Sequence, residues 1–330
     1  MEKIVGFTPE EILNLYSKNS PGWNDRLAHV SRVYHLCKKF SISFPEANKK
    51  ILLTSALLHD IGHSYKGDHA KNGAKIVLDI LPKKGYSVNE INQISSCIKT
   101  HSLKGKNKPL TIEGKILADC DRLDVINLDT WIQVLDSKTV KSGKISESIL
   151  ECINWEKEWL NLGTEFFTSK GKEEFQKILV RKQKIINEIK NKSLIKIRRG
   201  ILIHHFTKDF RKILLVKRKK DKKWGVIAGT SEKDEDFIRT AVREFQEEAN
   251  ISRFLFEMFP SELEFNSNLH EKSLDVLQNY CSVAKTKDIL KVNFTKEIEK
   301  LSWKPINNLP KKMIPTRIEK NKRNFLKYGN

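Results

Sequence analysis

The chain has 330 residues, 39% of them hydrophobic and sixteen of them Phe, which is enough for two domains with full cores and too apolar for general disorder. Its five cysteines (Cys37, Cys97, Cys120, Cys152, Cys281) are odd in number and lack a C-x-x-C pair, which argues against a disulfide framework or zinc–thiolate site and fits a reducing cytoplasm. The net charge is +20, no apolar run approaches a membrane span, and the acidic start at Thr8-Pro9-Glu10-Glu11 does not read as a signal peptide.

The first half is helical in pattern. Residues 24–40 (NDRLAHVSRVYHLCKKF) place His29, Val33, Leu36 and Phe40 on one side, so His29 faces inward while His35 lies elsewhere. Lys50 to Leu58 is an apolar helix running into His59-Asp60-Ile61-Gly62-His63. Gly62 predicts a helix stop there and sets the His59-Asp60 pair near a C-terminus inside the protein. Buried charges need partners, and a metal ion suits an imidazole and a carboxylate together. His69, His101 and Asp121 follow, and six of the nine histidines lie between positions 29 and 101.

The order H…HD…D resembles the HD-domain family of metal-dependent phosphohydrolases. The likeness extends to His29-x-x-Arg32-Val33, to Ala56-Leu57-Leu58-His59-Asp60-Ile61-Gly62-His63 and to Asp119-Cys120-Asp121-Arg122-Leu123-Asp124. Asn161-Leu162-Gly163-Thr164-Glu165 and the charged helix to about Lys190 are also similar to small bacterial members. The resemblance implies an all-α bundle in which His29, His59, Asp60 and Asp121 hold a first metal ion, Mn²⁺, Fe²⁺ or another divalent transition metal. Asp60 would bridge to a second ion, with His69 and His101 as its further ligands. His63 is then an orienting group or proton donor, and Arg32, Arg122 and Lys104 are candidate phosphate contacts. Asp119 and Asp124 read as surface or supporting groups. Guanosine tetraphosphate hydrolysis is disfavoured, because His63-Ser64 stands where those relatives carry an acidic pair.

Helical pattern ends near residues 191–199, which sets the expected domains at 1–192 and 193–330. Gly200 to Phe206 and Lys212 to Val216 are β-rich runs, and adjacent His204 and His205 on a strand should point to opposite faces, one core and one exposed. The charge excess is local: residues 181–223 hold 17 basic and 3 acidic residues, and residues 301–330 hold 8 and 1. Such stretches would attract polyphosphates or RNA.

The most informative segment is 229–251, GTSEKDEDFIRTAVREFQEEANI. At about 100° per residue, Glu247 and Glu248 fall within about 60° of Glu244, while Ile238, Val242, Phe245 and Ala249 form an apolar stripe elsewhere. Glutamates so placed repel one another unless a cation neutralises them, and oxygen ligands suit Mg²⁺ or Mn²⁺. Glu297 and Glu299 are further carboxylates available outside the helix.

The spacing G-x5-E-x7-R-E-hydrophobic-x-E-E-x-x-hydrophobic resembles the Nudix box, matched by Gly229, Glu235, Arg243, Glu244, Phe245, Glu247, Glu248 and Ile251. The resemblance implies an α/β/α sandwich with a mixed β-sheet, with Glu244, Glu247 and Glu248 holding the metal and Glu247 and Glu248 acting in catalysis. Arg243 would pair with Glu235. Two positions depart from the family: Asn250 replaces its usual glycine, and Ile227-Ala228-Gly229 replaces Pro-Gly-Gly. The whole chain then reads as a two-domain α+β, bifunctional hydrolase acting on nucleotides, with no membrane role. Its Nudix half would cleave a nucleoside diphosphate-linked bond and its HD half a phosphate mono- or diester. RNA 5′-end pyrophosphohydrolysis, a nucleotide-sensing Nudix half and a two-iron HD oxygenase stay open as alternatives.

Overall fold

A computed structural model describes residues 4–17, 23–102, 108–161, 165–232, 235–285, 298–314 and 317–328. Lys104, Glu297 and residues 162–164 lie outside the described residues. The chain divides into two compact units, one formed by Met1–Lys138 with Ser146–Asn191 and the other by Lys192–Asn330 with Thr139–Ile145. The short piece before Ile145 joins the second unit, where the Ile145 N–H donates to the Leu194 carbonyl. A boundary read from pattern alone places it in the first.

The first unit is helical: α1 (Pro9–Ser17), α2 (Trp23–Phe40), α3 (Lys49–Leu58), α4 (His69–Ile80), α5 (Val88–Thr100), α6 (Ile112–Ile126), α7 (Leu128–Ser142), α8 (Ile145–Asn161) and α9 (Ser169–Ile189). Side-chain caps set the helix starts. Asn48 accepts from Lys50 and Ile51 N–H groups, Asp68 from Ala70 and Lys71, and Ser87 closes a capping box with Glu90. The core is formed from α2, α3, α5 and α6 through residues such as Val33, Leu57, Ile94 and Leu117, all fully buried.

Gly62 works differently from the expected helix stop. Helix α3 ends at Leu58, and Gly62 lies within a 3₁₀ turn, Ile61–Ser64, without a left-handed φ. A Cβ on Gly62 would stand 2.0 Å from the His69 carbonyl oxygen and 2.5 Å from the Gly73 nitrogen. The missing side chain lets α4 press against the turn and brings His69 beside Asp60.

The second unit is built on a seven-stranded mixed sheet. Its strands are β1 (Lys196–Phe206), β2 (Lys212–Arg218), β3 (Trp224–Gly225), β4 (Ile227–Thr230), β5 (Phe259–Asn268), β6 (Ser273–Val283) and β7 (Ile298–Pro305). Strand β1 runs parallel to β6, from Lys196 opposite Ser273 to Phe206 opposite Val283, and antiparallel to β2 and β4. Strand β2 also pairs with β3 and β7, and β5 with β6, all antiparallel.

Helix α10 (Phe237–Ala249) packs on β1 and β4, and α11 (Ile318–Tyr328) on β1, β5 and β6. His205 meets Phe245 of α10, while His204 meets Asn321 of α11, so the helices cover opposite faces. The expectation that one of the two histidines is exposed is therefore wrong: both are fully buried. Alternation correctly predicts opposite faces, but it cannot tell a solvated face from one covered by a distant helix.

Candidate metal centre

Five helices and a turn bring the first-unit histidines and aspartates together. His29 comes from α2, His59 and Asp60 from the end of α3, His63 from the 3₁₀ turn, His69 from the start of α4, His101 from the end of α5 and Asp121 from α6. His29 Nε2 stands 3.1 Å from Asp121 Oδ1, 3.2 Å from His59 Nε2 and 3.7 Å from Asp60 Oδ2. His59 Nε2 is 3.7 Å from both Asp60 Oδ1 and Asp121 Oδ1. An ion bonded at about 2.1 Å sets its donors about 3.0 Å apart at 90° and about 4.2 Å apart at 180°, so separations of 3.1–3.7 Å let these four residues fit one divalent ion of the imidazole-preferring transition series.

Asp60 Oδ1 collects a second set: His63 Nε2 at 3.3 Å, His69 Nε2 at 3.7 Å and His101 Nε2 at 3.8 Å. The His63 and His69 rings stack with centroids 3.9 Å apart. Among the described residues, sets of three donor atoms within 4.8 Å of one another occur here as His29-His59-Asp121, His59-Asp60-His101 and Asp60-His63-His69.

Each inner ring is held by its other nitrogen. His59 Nδ1–H donates to the Ala56 carbonyl at 2.9 Å, His101 Nδ1–H to the Ile98 carbonyl at 2.6 Å and His29 Nδ1–H to Asp124 Oδ2 at 2.8 Å. With Nδ1 protonated and engaged, Nε2 is the nitrogen presented to the centre.

Helix α10 carries the acidic constellation. Asp236 caps its start, accepting from the Arg239 N–H, and Asn250 closes its end in the left-handed conformation at φ 52°. Arg243 gathers the carboxylates: Nε and Nη2 fork onto Glu235 at 3.1 and 3.0 Å, and Nη1 reaches Glu244 at 2.9 Å and Glu247 at 3.2 Å. Nη2 also donates to the Thr230 carbonyl at 3.0 Å, tying loop to helix. Glu244 lies directly over Gly229, where a Cβ would stand 1.9 Å from the Glu244 carboxyl carbon. The glycine thus makes room for the carboxylate. Oxygen donors of this kind fit Mg²⁺ or Mn²⁺.

The family model for the HD domain matches residues 26–126, and that for the NUDIX domain matches residues 196–328. The chain joins an HD domain to a NUDIX domain. Both are hydrolase families, so this is a two-domain α+β hydrolase. The HD half is similar to a predicted HD superfamily hydrolase from an uncultured Thermotogales bacterium, at 22% identity over 54% of this chain and 89% of that one, with a TM-score of 0.40. The NUDIX half is similar to a MutT NUDIX hydrolase from Burkholderia pseudomallei, at 23% identity over 36% of this chain and 91% of that one, TM-score 0.32. It is also similar to a C. elegans Ap4A hydrolase, at 16% identity over 34% of this chain and 82% of that one, TM-score 0.27. No curated protein matches the chain.

Charge distribution within the HD centre follows from these contacts. Burial would lower the His29 pKa, but hydrogen bonds to Asp121 and Asp124 raise it to about 10, so an ion bound at Nε2 would take the place of the proton there. Burial pushes His59 down to about 4, and burial with neighbouring imidazoles does the same to His69. Asp60 sits well below the usual carboxylate range despite burial, because His59, His101, His63 and His29 surround it. In the NUDIX box, burial raises Glu244 against the pull of Arg243.

Two arginines of the HD half serve the frame. Arg32 forks onto Asp124 through Nε at 2.9 Å and Nη2 at 3.0 Å, and burial of Asp124 is outweighed by Arg32 and His29, which hold its pKa at about 2. Arg122 donates to the Glu165 carbonyl and lies 4.7 Å over the Phe167 ring. Asp119 accepts from the Phe167 and Thr168 N–H groups and the Thr168 hydroxyl, and its carboxylate occupies the space a Cβ on Gly171 would need. The Asp119–Asp124 motif therefore divides its work: Asp121 enters the centre, Asp124 orients His29 and Asp119 with Arg122 pins residues 165–168.

Arg26 escaped the sequence reading. Its Nη1 donates to Asp60 Oδ2 at 3.1 Å, and the readable signal was its place three residues before His29 on one helix. Glu299, outside the box, is held by Lys217 and Lys222 at 2.9 Å each. Several charges of the basic stretches are likewise paired, among them Arg198 with Asp275 and Lys320 with Glu262. Among the described residues no helix is long and apolar enough to cross a membrane.

Proposed function

We propose that the HD half, residues 1–192, hydrolyses a phosphate mono- or diester of a nucleotide, and that the Nudix half, residues 193–330, cleaves a nucleoside diphosphate-linked pyrophosphate. The observation that carries the first reading is the convergence of His29, His59, Asp60 and Asp121 within 3.1–3.7 Å. These residues would hold a divalent transition ion, with Asp60, His69 and His101 available to a second. Bound divalent ions supply Lewis acidity toward phosphoryl oxygens and lower the pKa of water. His63, with its side chain 31% exposed, is the most open of the cluster and would donate a proton from Nε2 to the departing alcohol.

The second reading rests on three glutamates on one face of α10 and on Glu244 seated over Gly229. Glu244, Glu247 and Glu248 would hold Mg²⁺ or Mn²⁺ against the pyrophosphate, with one of Glu247 and Glu248 orienting the attacking water. Arg243 ties Glu235 and the Thr230 carbonyl to the helix. The five cysteines are free and buried, which suits a reducing cytoplasm.

The test is a panel of nucleotides and capped RNA with Mn²⁺ or Mg²⁺, run on the full chain and on Asp60→Ala and Glu248→Gln. Asp60→Ala should lose phosphate-ester release alone, and Glu248→Gln pyrophosphate cleavage alone. Full activity of Asp60→Ala on phosphate esters would overturn the HD assignment, and full activity of Glu248→Gln the Nudix one.

A further inference from the structure

The HD centre has one guanidinium directed at its aspartate, and among the described residues Asp60 is the partner its hydrogen bond finds. Arg26 Nη1 lies 3.1 Å from Asp60 Oδ2, while Oδ1 of the same carboxylate faces His59, His63, His69 and His101. Asp60 is thus already surrounded by four imidazoles and does not depend on Arg26 for its orientation. Arg32 and Arg122, the other arginines near the ligands, have donors committed to Asp124 and to the Glu165 carbonyl. Arg26 has a quarter of its side chain exposed, and its Nε is buried without a hydrogen-bond partner among the described residues, so the fork of five N–H donors is not fully committed to Asp60.

Charge balance gives this cation a purpose. Asp60 and Asp121 together neutralise one divalent ion, and Asp124 is matched by Arg32. A guanidinium next to Asp60 then leaves excess positive charge, which like-charge repulsion makes unfavourable until an anion enters. A tetrahedral oxyanion that bridges ion and guanidinium satisfies both, and a planar fork suits two of its oxygens.

We propose that Arg26 grips the substrate phosphate in the HD half. The proposal rests on the phosphohydrolase reading of that half. Inorganic phosphate is the probe, titrated calorimetrically into the Mn²⁺-loaded full chain, with Mn²⁺ affinity measured separately. Arg26→Gln should bind Mn²⁺ within about threefold of wild type and bind phosphate about ten- to a hundredfold more weakly, the range of lost hydrogen bonds to a charged group. Its KM for a nucleoside monophosphate should rise more than its kcat falls. Arg26→Lys, which keeps the charge without the fork, should recover part of the phosphate affinity and covers the case in which the glutamine variant fails to fold.

Phosphate affinity unchanged in Arg26→Gln, or absent in wild type, would overturn the proposal. A loss of Mn²⁺ as large as that of Asp60→Ala would also overturn it, by making Arg26 a support for Asp60. A wild-type chain that binds phosphate through Arg26 yet hydrolyses no nucleotide would leave this assignment standing and remove the phosphohydrolase reading instead.

Discussion

The HD centre and the Nudix box solve one electrostatic problem in two ways. In the HD half most donors are imidazoles, which can gather without mutual repulsion, and His29, His59 and His101 are each fixed through Nδ1 by a carboxylate or a backbone carbonyl. In the Nudix half the donors are carboxylates on one helix, and a guanidinium supplies the opposing charge: Arg243 contacts Glu235, Glu244 and Glu247. A frame of hydrogen bonds preorganises the first. A balance of charges and a glycine gap organise the second.

The two modes should fail differently. The largest effect is expected from Asp60→Ala, which removes the carboxylate shared by both sets of histidines. Several kcal/mol of transition-state stabilisation would go with it, about a thousandfold or more in phosphate-ester turnover. Pyrophosphate cleavage by the same protein should stay within about twofold. Gly229→Ala, which forces a Cβ into the Glu244 carboxyl, should cost the Nudix half about a hundredfold in kcat through misplacement of one donor. Circular dichroism should show the fold retained, because the end of a glutamate side chain can move aside. Asp124→Asn should weaken Mn²⁺ binding by the HD half about ten- to a hundredfold without touching a ligand, as expected for a group that orients one. Wild-type Mn²⁺ affinity in that variant would show that the hydrogen-bonded frame is not what holds His29.

These sites also show where a single sequence stops being readable. The candidate ligand set is legible because histidines and aspartates inside apolar helical pattern are costly unless they share a task, and H…HD…D and the glutamate box have fixed spacings. The all-helical first half and the first strands of the second follow from period and β-branched runs, whereas the mixed sheet is what the resemblance of the glutamate box implies. The partition of Asp119, Asp121 and Asp124 is not legible, since it depends on meeting Thr168 and His29 from remote parts of the chain. Nor is the role of Gly62, whose requirement comes from the approach of α4. Arg32 and Arg122 look identical to phosphate-binding arginines until their partners are seen.

A further expected effect concerns stability. His204 is fully buried beneath α11, and burial lowers its pKa to about 4, against about 6.5 for an exposed histidine. The folded value is the lower one, so this contribution to stability is complete above about pH 6.5. It is lost as pH falls toward 4, by up to about 3 kcal/mol. Denaturant unfolding of the Nudix half followed from pH 7 to 4.5 should show this slope, and His204→Asn should flatten it.

The most direct measurement is a Mn²⁺ titration followed by electron paramagnetic resonance on wild type, Asp60→Ala and the double variant Glu247→Gln/Glu248→Gln. Two independent centres require that Asp60→Ala lose the ions held by the histidine cluster and keep the one held by α10, with the double variant doing the reverse. Unchanged Mn²⁺ stoichiometry in either variant, or loss of all bound Mn²⁺ in both, would contradict two centres built from these residues.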